Sequence, residues 1–219
     1  LVCTLTHARP EVADYPFTTR MPMPGMMNYQ NVQIQLVDLP PVSAEFNEPW
    51  LPQVLRMASM GVLVVDVNDP SVLDEIELIT ERLAAWRVPT PRLLVGNKVD
   101  LEGGRDNFSA LEDLYGPRFQ CLAASALTGE NLDQFARAVF DALEIVRVYT
   151  KAPGKKPELT SPYVLRRGST VLDAARHVHK DFAEHLKFAR LFHVAGGHDG
   201  LMVERTHVLE DEDILELHI

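Results

Sequence analysis

A polar tetrapeptide that follows an apolar run is the feature of this sequence with the clearest chemistry. The run LLV (93–95) predicts a short buried strand, and one glycine later comes NKVD (97–100). A carboxylate such as that of Asp100 accepts two hydrogen bonds side by side, which matches the N1–H and 2-amino donors of guanine and disfavours adenine. The tetrapeptide therefore indicates a guanine-binding loop, with a charged turn after a strand as the alternative.

Other residues of this tetrapeptide, and of the loop after the next predicted strand, suit the same base. Asn97 is expected to tie its loop to the O6 edge of guanine, and the aliphatic stem of Lys98 can lie on the base plane. Ser125, Ala126 and Leu127 directly follow the next predicted strand, where the N–H of Ala126 in a tight turn can reach O6. Because doubly wound sheets bind ligands at the carboxyl ends of neighbouring strands, the two loops are expected to form one pocket.

Strand and helix patterns alternate on both sides of these loops. The predicted strands cover 33–38, 61–67, 93–96 and 119–123, and the predicted helical patterns cover 51–59, 72–85, 108–115 and 132–146. Strands separated by helical crossovers pair in parallel. The first part is therefore expected to be a doubly wound α/β sheet with helices on both faces.

Residues 150–162 (TKAPGKKPELTSP) interrupt this alternation with three prolines and a glycine, which predicts a boundary loop. Beyond the loop the sequence predicts a small α+β module of about 70 residues. Its predicted strands are 163–166, 191–195 and 214–219, and its predicted helix is 171–182. Thr170 and Asp173 form a candidate capping box for this helix. The expected domains are 1–146 and 147–219.

The charge of the chain is unevenly distributed. The 21 basic and 31 acidic residues give a net charge of −10, and 11 residues of each sign lie from Arg147 onward, so the first part carries all of the net negative charge. This balance opposes nonspecific binding to DNA and to anionic membranes. Cys3 and Cys121 form no metal-binding pattern and predict reduced thiols in a cytoplasmic protein.

Together, the NKVD and SAL segments resemble the fourth and fifth motifs of P-loop GTPases of the translation-factor class. The stretch EVADYPFTTR (11–20) resembles the first switch of the Obg and developmentally regulated GTP-binding protein families. That resemblance implies that Thr19, with Thr18 as the alternative, ligates Mg²⁺ when GTP is bound. It also implies that Asp38, which follows the apolar run VQIQLV, holds Mg²⁺ through water.

The segment DLPP (38–41) departs from the Asp-x-Pro-Gly pattern of these families. There the glycine N–H bonds the γ-phosphate, whereas Pro41 has no N–H to donate. Val42 follows, so no glutamine at that position orients the attacking water. We therefore expect a second switch that senses GTP weakly and a slow hydrolysis, and no catalytic residue is assigned.

The phosphate-binding loop GxxxxGK[ST] does not occur in the sequence. Its N–H groups and lysine hold the β- and γ-phosphates, so a guanine loop without them is expected to hold nucleotide poorly. In the resembled families this loop directly precedes a helix much like LVCTLT (1–6), and the chain begins with Leu1 rather than Met. The expectation is a G domain without its first strand and phosphate loop, which would lie immediately before Leu1 in a longer protein; the alternative is a protein that never had the loop.

The segment from VRVYTKAPGKKP to DEDILELHI resembles the TGS domain of threonyl-tRNA synthetases, of these GTPases and of stringent-response enzymes. The resemblance implies a ubiquitin-like β-grasp fold that docks on a ribosome, an RNA or a regulatory protein. Seven of the eight histidines lie here, and their spacing favours capping, packing and surface roles over a metal site. Five basic residues form either a local rim or a solvated loop: Lys151, Lys155, Lys156, Arg166 and Arg167.

Taken together, these features predict a cytoplasmic GTP-binding protein that takes GTP or GDP with Mg²⁺, hydrolyses GTP slowly and works with ribosomes or RNA. The alternative is a degenerate, non-hydrolysing G domain that acts as a scaffold and presents the TGS module to a partner. Pro41 favours the scaffold, whereas an intact phosphate loop upstream of Leu1 would favour the enzyme. Neither a membrane nor DNA is an expected partner.

Overall fold

The computed structural model describes residues 1–6, 21–43, 47–196 and 199–219. The chain divides into two compact units. The first consists of residues 1–29 and 33–143, and the second of residues 30–32 and 144–219. Each unit has a hydrophobic core of its own.

The first unit alternates helices and strands, as its sequence predicts. Its elements are α1 (Val2–Leu5), β1 (Met23–Tyr29), β2 (Val32–Asp38), α2 (Leu51–Met57), β3 (Val62–Asp66), α3 (Val72–Ala85), β4 (Leu93–Asn97), α4 (Gly104–Tyr115), β5 (Gln120–Ala123) and α5 (Leu132–Ala142). The predicted α/β class is confirmed. In the described residues no helix is long and apolar enough to cross a membrane.

A parallel sheet of three strands, in the order β3, β4, β5, supports the candidate site. The central LLV residues (93–95) are fully buried because elements cover both faces of a parallel sheet. The register aligns Asp66 with Asn97 and Gly96 with Ala123. The carboxyl ends of the three strands therefore lie along one edge. β1 and β2 form a separate two-stranded sheet, so the expectation that the strand over 33–38 joins the parallel sheet is wrong.

Helices α3 and α4 supply much of the packing against this parallel sheet. Ile76 of α3 and Leu111 of α4 are buried in one cluster with Leu63, Val65 and Leu94 of the strands. The apolar residues of α3 recur at helical spacing, which places them along the face that meets the sheet. This packing fixes the strands whose ends carry the polar loops.

The second unit is a mixed α+β fold, as predicted. Its elements are β6 (Ile145–Thr150), β7 (Tyr163–Arg166), α6 (Val171–Val178), α7 (Lys180–His185), β8 (Phe188–His193), β9 (Asp199–Val203) and β10 (Asp213–His218). The sheet order is β7, β6, β10, β8, β9, and only β6 and β10 pair in parallel among these neighbours. α6 buries Val171 and Ala175 in one core with Leu191 and Leu215.

The capping box predicted at the start of α6 is present. The N–H of Asp173 donates to Thr170 Oγ1 at 3.3 Å, and the N–H of Thr170 donates to Asp173 Oδ2 at 2.9 Å. Two backbone donors that a helix start leaves without partners are thereby satisfied. The helix itself is shorter than predicted: the range 171–182 breaks at His179, whose extended backbone (φ −169°, ψ 149°) separates α6 from α7.

The predicted helix 132–146 is wrong at its end. α5 stops at Ala142, Glu144 takes a left-handed φ of 53°, and β6 begins at Ile145. The apolar residues after Ala142 fit a strand as well as a helix. They form a strand because β6 pairs with β7 and β10. β1 and β9 were not predicted, because each contains a glycine and lacks a strong β-branched run.

Candidate functional site

The turn after β4 depends on a glycine. A Cβ atom on Gly96 would lie 2.5 Å from Cδ2 of Phe108 and 2.6 Å from Cγ1 of Val67. Phe108 belongs to α4 and Val67 follows β3, so the strand end is packed closely between two neighbouring elements. This close packing holds the start of the NKVD loop in place.

Asn97 joins the two loops that the sequence assigns to guanine. Its Oδ1 accepts the N–H of Ala126 at 2.9 Å. The N–H of Ala124 donates to the carbonyl of Gly96 at 2.8 Å, and the N–H of Val99 donates to the carbonyl of Ala124 at 3.4 Å. The structure therefore brings the NKVD and SAL loops together. For the Ala126 N–H to reach a guanine O6, it must exchange or share its bond to Asn97.

The SAL turn is built around the buried Ser125. Its Oγ accepts the N–H of Thr128 at 3.1 Å, its carbonyl accepts the N–H of Gly129 at 3.0 Å, and its own N–H donates to the carbonyl of Glu130 at 3.1 Å. Leu127, at the tip, is 85% exposed. Ser125 therefore shapes the turn, Ala126 presents its N–H beside Asn97, and the Leu127 side chain packs on little of the protein.

Lys98 lies between the two strand ends. Its backbone takes a left-handed φ of 66°, and its Nζ lies 2.7 Å from Oδ2 of Asp66 at the end of β3. The lysine stem therefore spans from the end of β4 to the end of β3. This places its methylene groups along the edge of the sheet, where a planar base would meet them.

Asp100 is exposed beside a surface depression of about 360 Å³. The lining residues are Val99, Asp100, Leu101, Gly103, Arg105 and Asp106. Arg105 Nη2 lies 2.7 Å from Glu130 Oε1 of the SAL turn, so an ion pair connects the start of α4 to that turn. The Asp100 carboxylate is accessible to a ligand that enters beside the two loops.

The loop after β3 adds negative charge near Lys98. The hydroxyl and the N–H of Ser71 both donate to Asp69 and lower the pKa of its carboxyl. Burial, followed by the charges of Asp69 and Asp66, raises the pKa of Glu75. The Asp66 carboxylate therefore contacts the ammonium group of Lys98, and Asp69 adds negative charge to the same loop.

The residues predicted to hold Mg²⁺ are described only in part. Asp38 is the last residue of β2, whereas Thr18 and Thr19 lie outside the described residues. Within the described ranges, no three His, Cys, Asp or Glu side chains are arranged to hold a metal. A single carboxylate at Asp38 still fits Mg²⁺, since this ion takes most of its ligands from water and phosphate oxygens.

Two family models match the chain. The model described as 50S ribosome-binding GTPase matches residues 1–98, and the TGS domain model matches residues 146–219. Developmentally-regulated GTP-binding protein 1 of Xenopus laevis is 26% identical, over 99% of this chain and 78% of that protein. GTPase Obg of Desulforudis audaxviator is 32% identical, over 78% of this chain and 44% of that protein. The chain belongs to the Obg and developmentally regulated GTP-binding proteins.

Ribosome-interacting GTPase 1 of Saccharomyces cerevisiae is a further relative of this Obg-type chain, 25% identical over 99% of the chain and 78% of that protein. The family resemblance inferred from the motifs is thereby confirmed. The GTPase match includes Asn97 and Lys98 and ends before Asp100. The individual roles assigned to these residues and to 125–127 stay predictions.

Several residues of the candidate site in this Obg-type chain were not predicted from the sequence. Thr4 Oγ1 donates to the carbonyl of Ala126 at 3.0 Å, so α1 contacts the SAL turn. Asp66, Arg105 and Glu130 enter through the ion pairs described above. These partners are separated by 25 to 122 residues in the sequence, and only the fold shows which of them meet.

Proposed function

We propose that this chain binds guanine nucleotides at the carboxyl ends of β4 and β5. The observation that carries the proposal is the bond from the Ala126 N–H to Asn97 Oδ1, which joins the NKVD and SAL loops beside the exposed Asp100. A base that enters between these loops would meet a double acceptor on one side and, once the Ala126 N–H shares or exchanges its bond to Asn97, a backbone donor on the other. That pattern complements guanine and not adenine.

Each residue of the proposed pocket has a separate task. Asp100 accepts the N1–H and 2-amino donors, Ala126 donates to O6, and the Lys98 stem covers one face of the base. Asn97 and Ser125 hold the loops in position. Leu127 is exposed at the turn and is proposed to border the base rather than bond to it.

Hydrolysis of GTP is proposed to be slow and to need Mg²⁺. Asp38 and Thr19, with Thr18 as the alternative, are the proposed protein ligands, and a bound Mg²⁺ would offset charge on the phosphates. Pro41 follows Asp38 by three residues and lacks the N–H that would bond a γ-phosphate. Loss of that bond weakens the difference between the GTP and GDP states of this segment.

The second unit is proposed to be a docking module. We propose domains at 1–146 and 147–219, which the TGS match at 146–219 supports. The proposed partner is a ribosome, an RNA or a regulatory protein, and the cytoplasm is the proposed location. The name of the yeast relative, Ribosome-interacting GTPase 1, and the description of the GTPase model support the ribosome among these partners.

A scaffold without turnover is the second candidate function. Pro41 is the observation that favours it. Because a segment without that N–H cannot bond the γ-phosphate, its conformation differs less between the GTP and GDP states. In this case the first unit would bind GDP or no nucleotide, and the TGS module would carry the activity of the protein.

Titration of the full-length protein with GDP and GTP, with and without Mg²⁺, tests the proposal, with phosphate release followed in the same samples. We expect binding of both guanine nucleotides, none of ADP or ATP, and slow phosphate release from GTP. Binding of neither guanine nucleotide, or of GDP without turnover, would establish the scaffold instead.

The variant Asp100→Asn tests the base contact directly. Because an amide cannot accept two hydrogen bonds from guanine, GDP affinity is expected to fall by about 100-fold or more, with a gain for xanthosine diphosphate. Asp113→Asn, on the exposed side of α4, is the matched control. Unchanged base selectivity in Asp100→Asn would remove Asp100 from the pocket.

A further inference from the structure

Polar side chains at the end of β3 and in the loop after it hold Lys98 at its ammonium group and at its backbone carbonyl. Asp66 Oδ2 lies 2.7 Å from the ammonium Nζ, and Asn68 Nδ2 donates to the backbone carbonyl of Lys98 at 3.1 Å. The strand register places Asp66 level with Asn97, the residue before Lys98. The side chain and the backbone of Lys98 are therefore fixed from the same neighbouring loop.

Hydrogen bonds also hold the side chains of Asp66 and Asn68 in place. The N–H of Asn68 donates to Asp66 Oδ1 at 2.9 Å, so the two carboxylate oxygens of Asp66 serve different partners. Asn107 Nδ2 of α4 donates to Asn68 Oδ1 at 3.2 Å. The carboxylate that meets Lys98 is therefore oriented by its own turn, and the turn is tied to a helix.

Stability of the fold does not explain the Asp66–Lys98 pair. The side chains are 31% and 53% exposed, and ion pairs in such positions contribute little to folding. A free lysine stem samples many rotamers, and ordering it when a ligand binds reduces affinity. A stem that is already stretched across the strand ends avoids much of this loss.

We propose that Asp66 is a positioning residue for guanine nucleotide binding and that it acts through Lys98. The inference rests on the proposed function, because it concerns the lysine stem that is to cover the base. Asp66 itself touches no ligand in this scheme: it holds the Lys98 ammonium so that the methylene groups lie along the edge where the base enters.

A double-mutant cycle on the full-length protein tests the inference. The GDP dissociation constant is measured for the unchanged protein, Asp66→Asn, Lys98→Met and the double variant. Asp66→Asn keeps an acceptor for the Asn68 N–H and removes the charge that holds the ammonium. We expect about a 5- to 10-fold loss of GDP affinity from Asp66→Asn, and less than a 2-fold loss when Lys98 is already Met.

Asp113→Asn is the matched control, because it removes the same charge from an exposed position on α4. We expect this variant to change GDP affinity by less than 2-fold and the melting temperature of neither variant to move. An equal loss from Asp66→Asn in both lysine backgrounds, or no loss in either, would overturn the inference.

A measurement without nucleotide separates this inference from the proposed function. NMR relaxation of the ¹³Cε–¹H groups reports the mobility of individual lysine stems. Lys98 is expected to be more restricted than the exposed Lys155, and Asp66→Asn is expected to remove the difference. If Lys98 is as mobile as Lys155 in the unchanged protein, the inference fails whether or not GDP binds. A restricted Lys98 in a full-length protein that binds no GDP would instead overturn the guanine pocket.

Discussion

Gly96 and Asn97 adjoin in the sequence but act in different ways. Gly96 leaves room for Phe108 and Val67, which lets the strand end pack tightly, and Asn97 then accepts the N–H of Ala126 from the next strand end. A loop that binds a base must be held in place before the base arrives, since ordering it later costs affinity. The glycine supplies the packing and the asparagine supplies the connection.

Gly96→Ala is expected to destabilise the first unit by about 1–3 kcal/mol, because the added methyl group overpacks the contact with Phe108 and Val67. Urea unfolding of the first unit measures the loss. Gly61→Ala is the control: its Cβ would lie 3.5 Å from the nearest atom of Pro91, an ordinary contact, and little change is expected. Equal stability of Gly96→Ala and the unchanged protein would contradict the tight packing at the strand end.

Elements with strong periodic patterns were predicted well, and those set by tertiary pairing were not. The helix over 72–85 is predicted because its apolar residues recur at helical spacing, and the strand at 93–95 is predicted because it is a continuous apolar run. His179 interrupts a continuous helical pattern: the ring Nδ1 accepts the N–H of Asp181 at 3.2 Å and starts a new helix. Such a break depends on local capping, which periodicity does not reveal.

The same reason limits what the sequence showed of the candidate site. Asn97, Ala126 and Asp100 were assigned because they lie at the ends of recognisable strands, and the structure places the first two in direct contact. Asp66 and Thr4 have no motif of their own. Their relevance follows from strand register and helix packing, which form only in the fold.

At the level of single elements, the capping box of α6 makes stability depend on pH. The N–H and hydroxyl of Thr170 donate to the Asp173 carboxylate and lower its pKa from 3.8. A lowered pKa in the folded state stabilises the protein above the unfolded pKa, and this contribution is lost as the pH falls through the folded pKa.

Asp173→Asn is therefore expected to cost about 1 kcal/mol at pH 7, in the range of other lost caps. The difference from the unchanged protein should shrink as the pH falls below 3.8, where the carboxylate itself becomes protonated. Urea unfolding of the second unit at several pH values measures it, with Glu204→Gln, an exposed change in the same unit, as the control. A pH-independent difference would show that the charge of Asp173 is not involved.

The whole molecule combines two units with different charge and separate cores. Residues 1–146 carry 10 basic and 20 acidic residues, whereas residues 147–219 carry 11 of each. A strongly negative first unit repels polyanions in general, so a nucleotide must be bound by specific contacts such as those of Asn97, Lys98 and Asp100. The balanced second unit carries no such repulsion, and its charge by itself favours no particular partner.

This separation leads to a prediction for the intact chain. GDP should stabilise the first unit by about 2.7 kcal/mol at a concentration 100 times its dissociation constant, because only the folded pocket binds it. Leu215→Ala removes a fully buried side chain from the core of the second unit and is expected to destabilise that unit by about 2–5 kcal/mol. Thermal unfolding is followed with and without GDP. Calorimetry gives the overall transitions, and one spectroscopic reporter in each unit assigns each transition to its unit.

The two effects should appear in different transitions, since the residues that would read guanine lie in the first unit and Leu215 lies in the core of the second. GDP affinity of Leu215→Ala is expected to match that of the unchanged protein below the melting temperature of the second unit. Leu165→Ala, at another buried position in the same core, provides the matched variant. A loss of GDP affinity in both variants would mean that the second unit supports the pocket, and the guanine site would then have to be assigned to the whole chain rather than to its first unit.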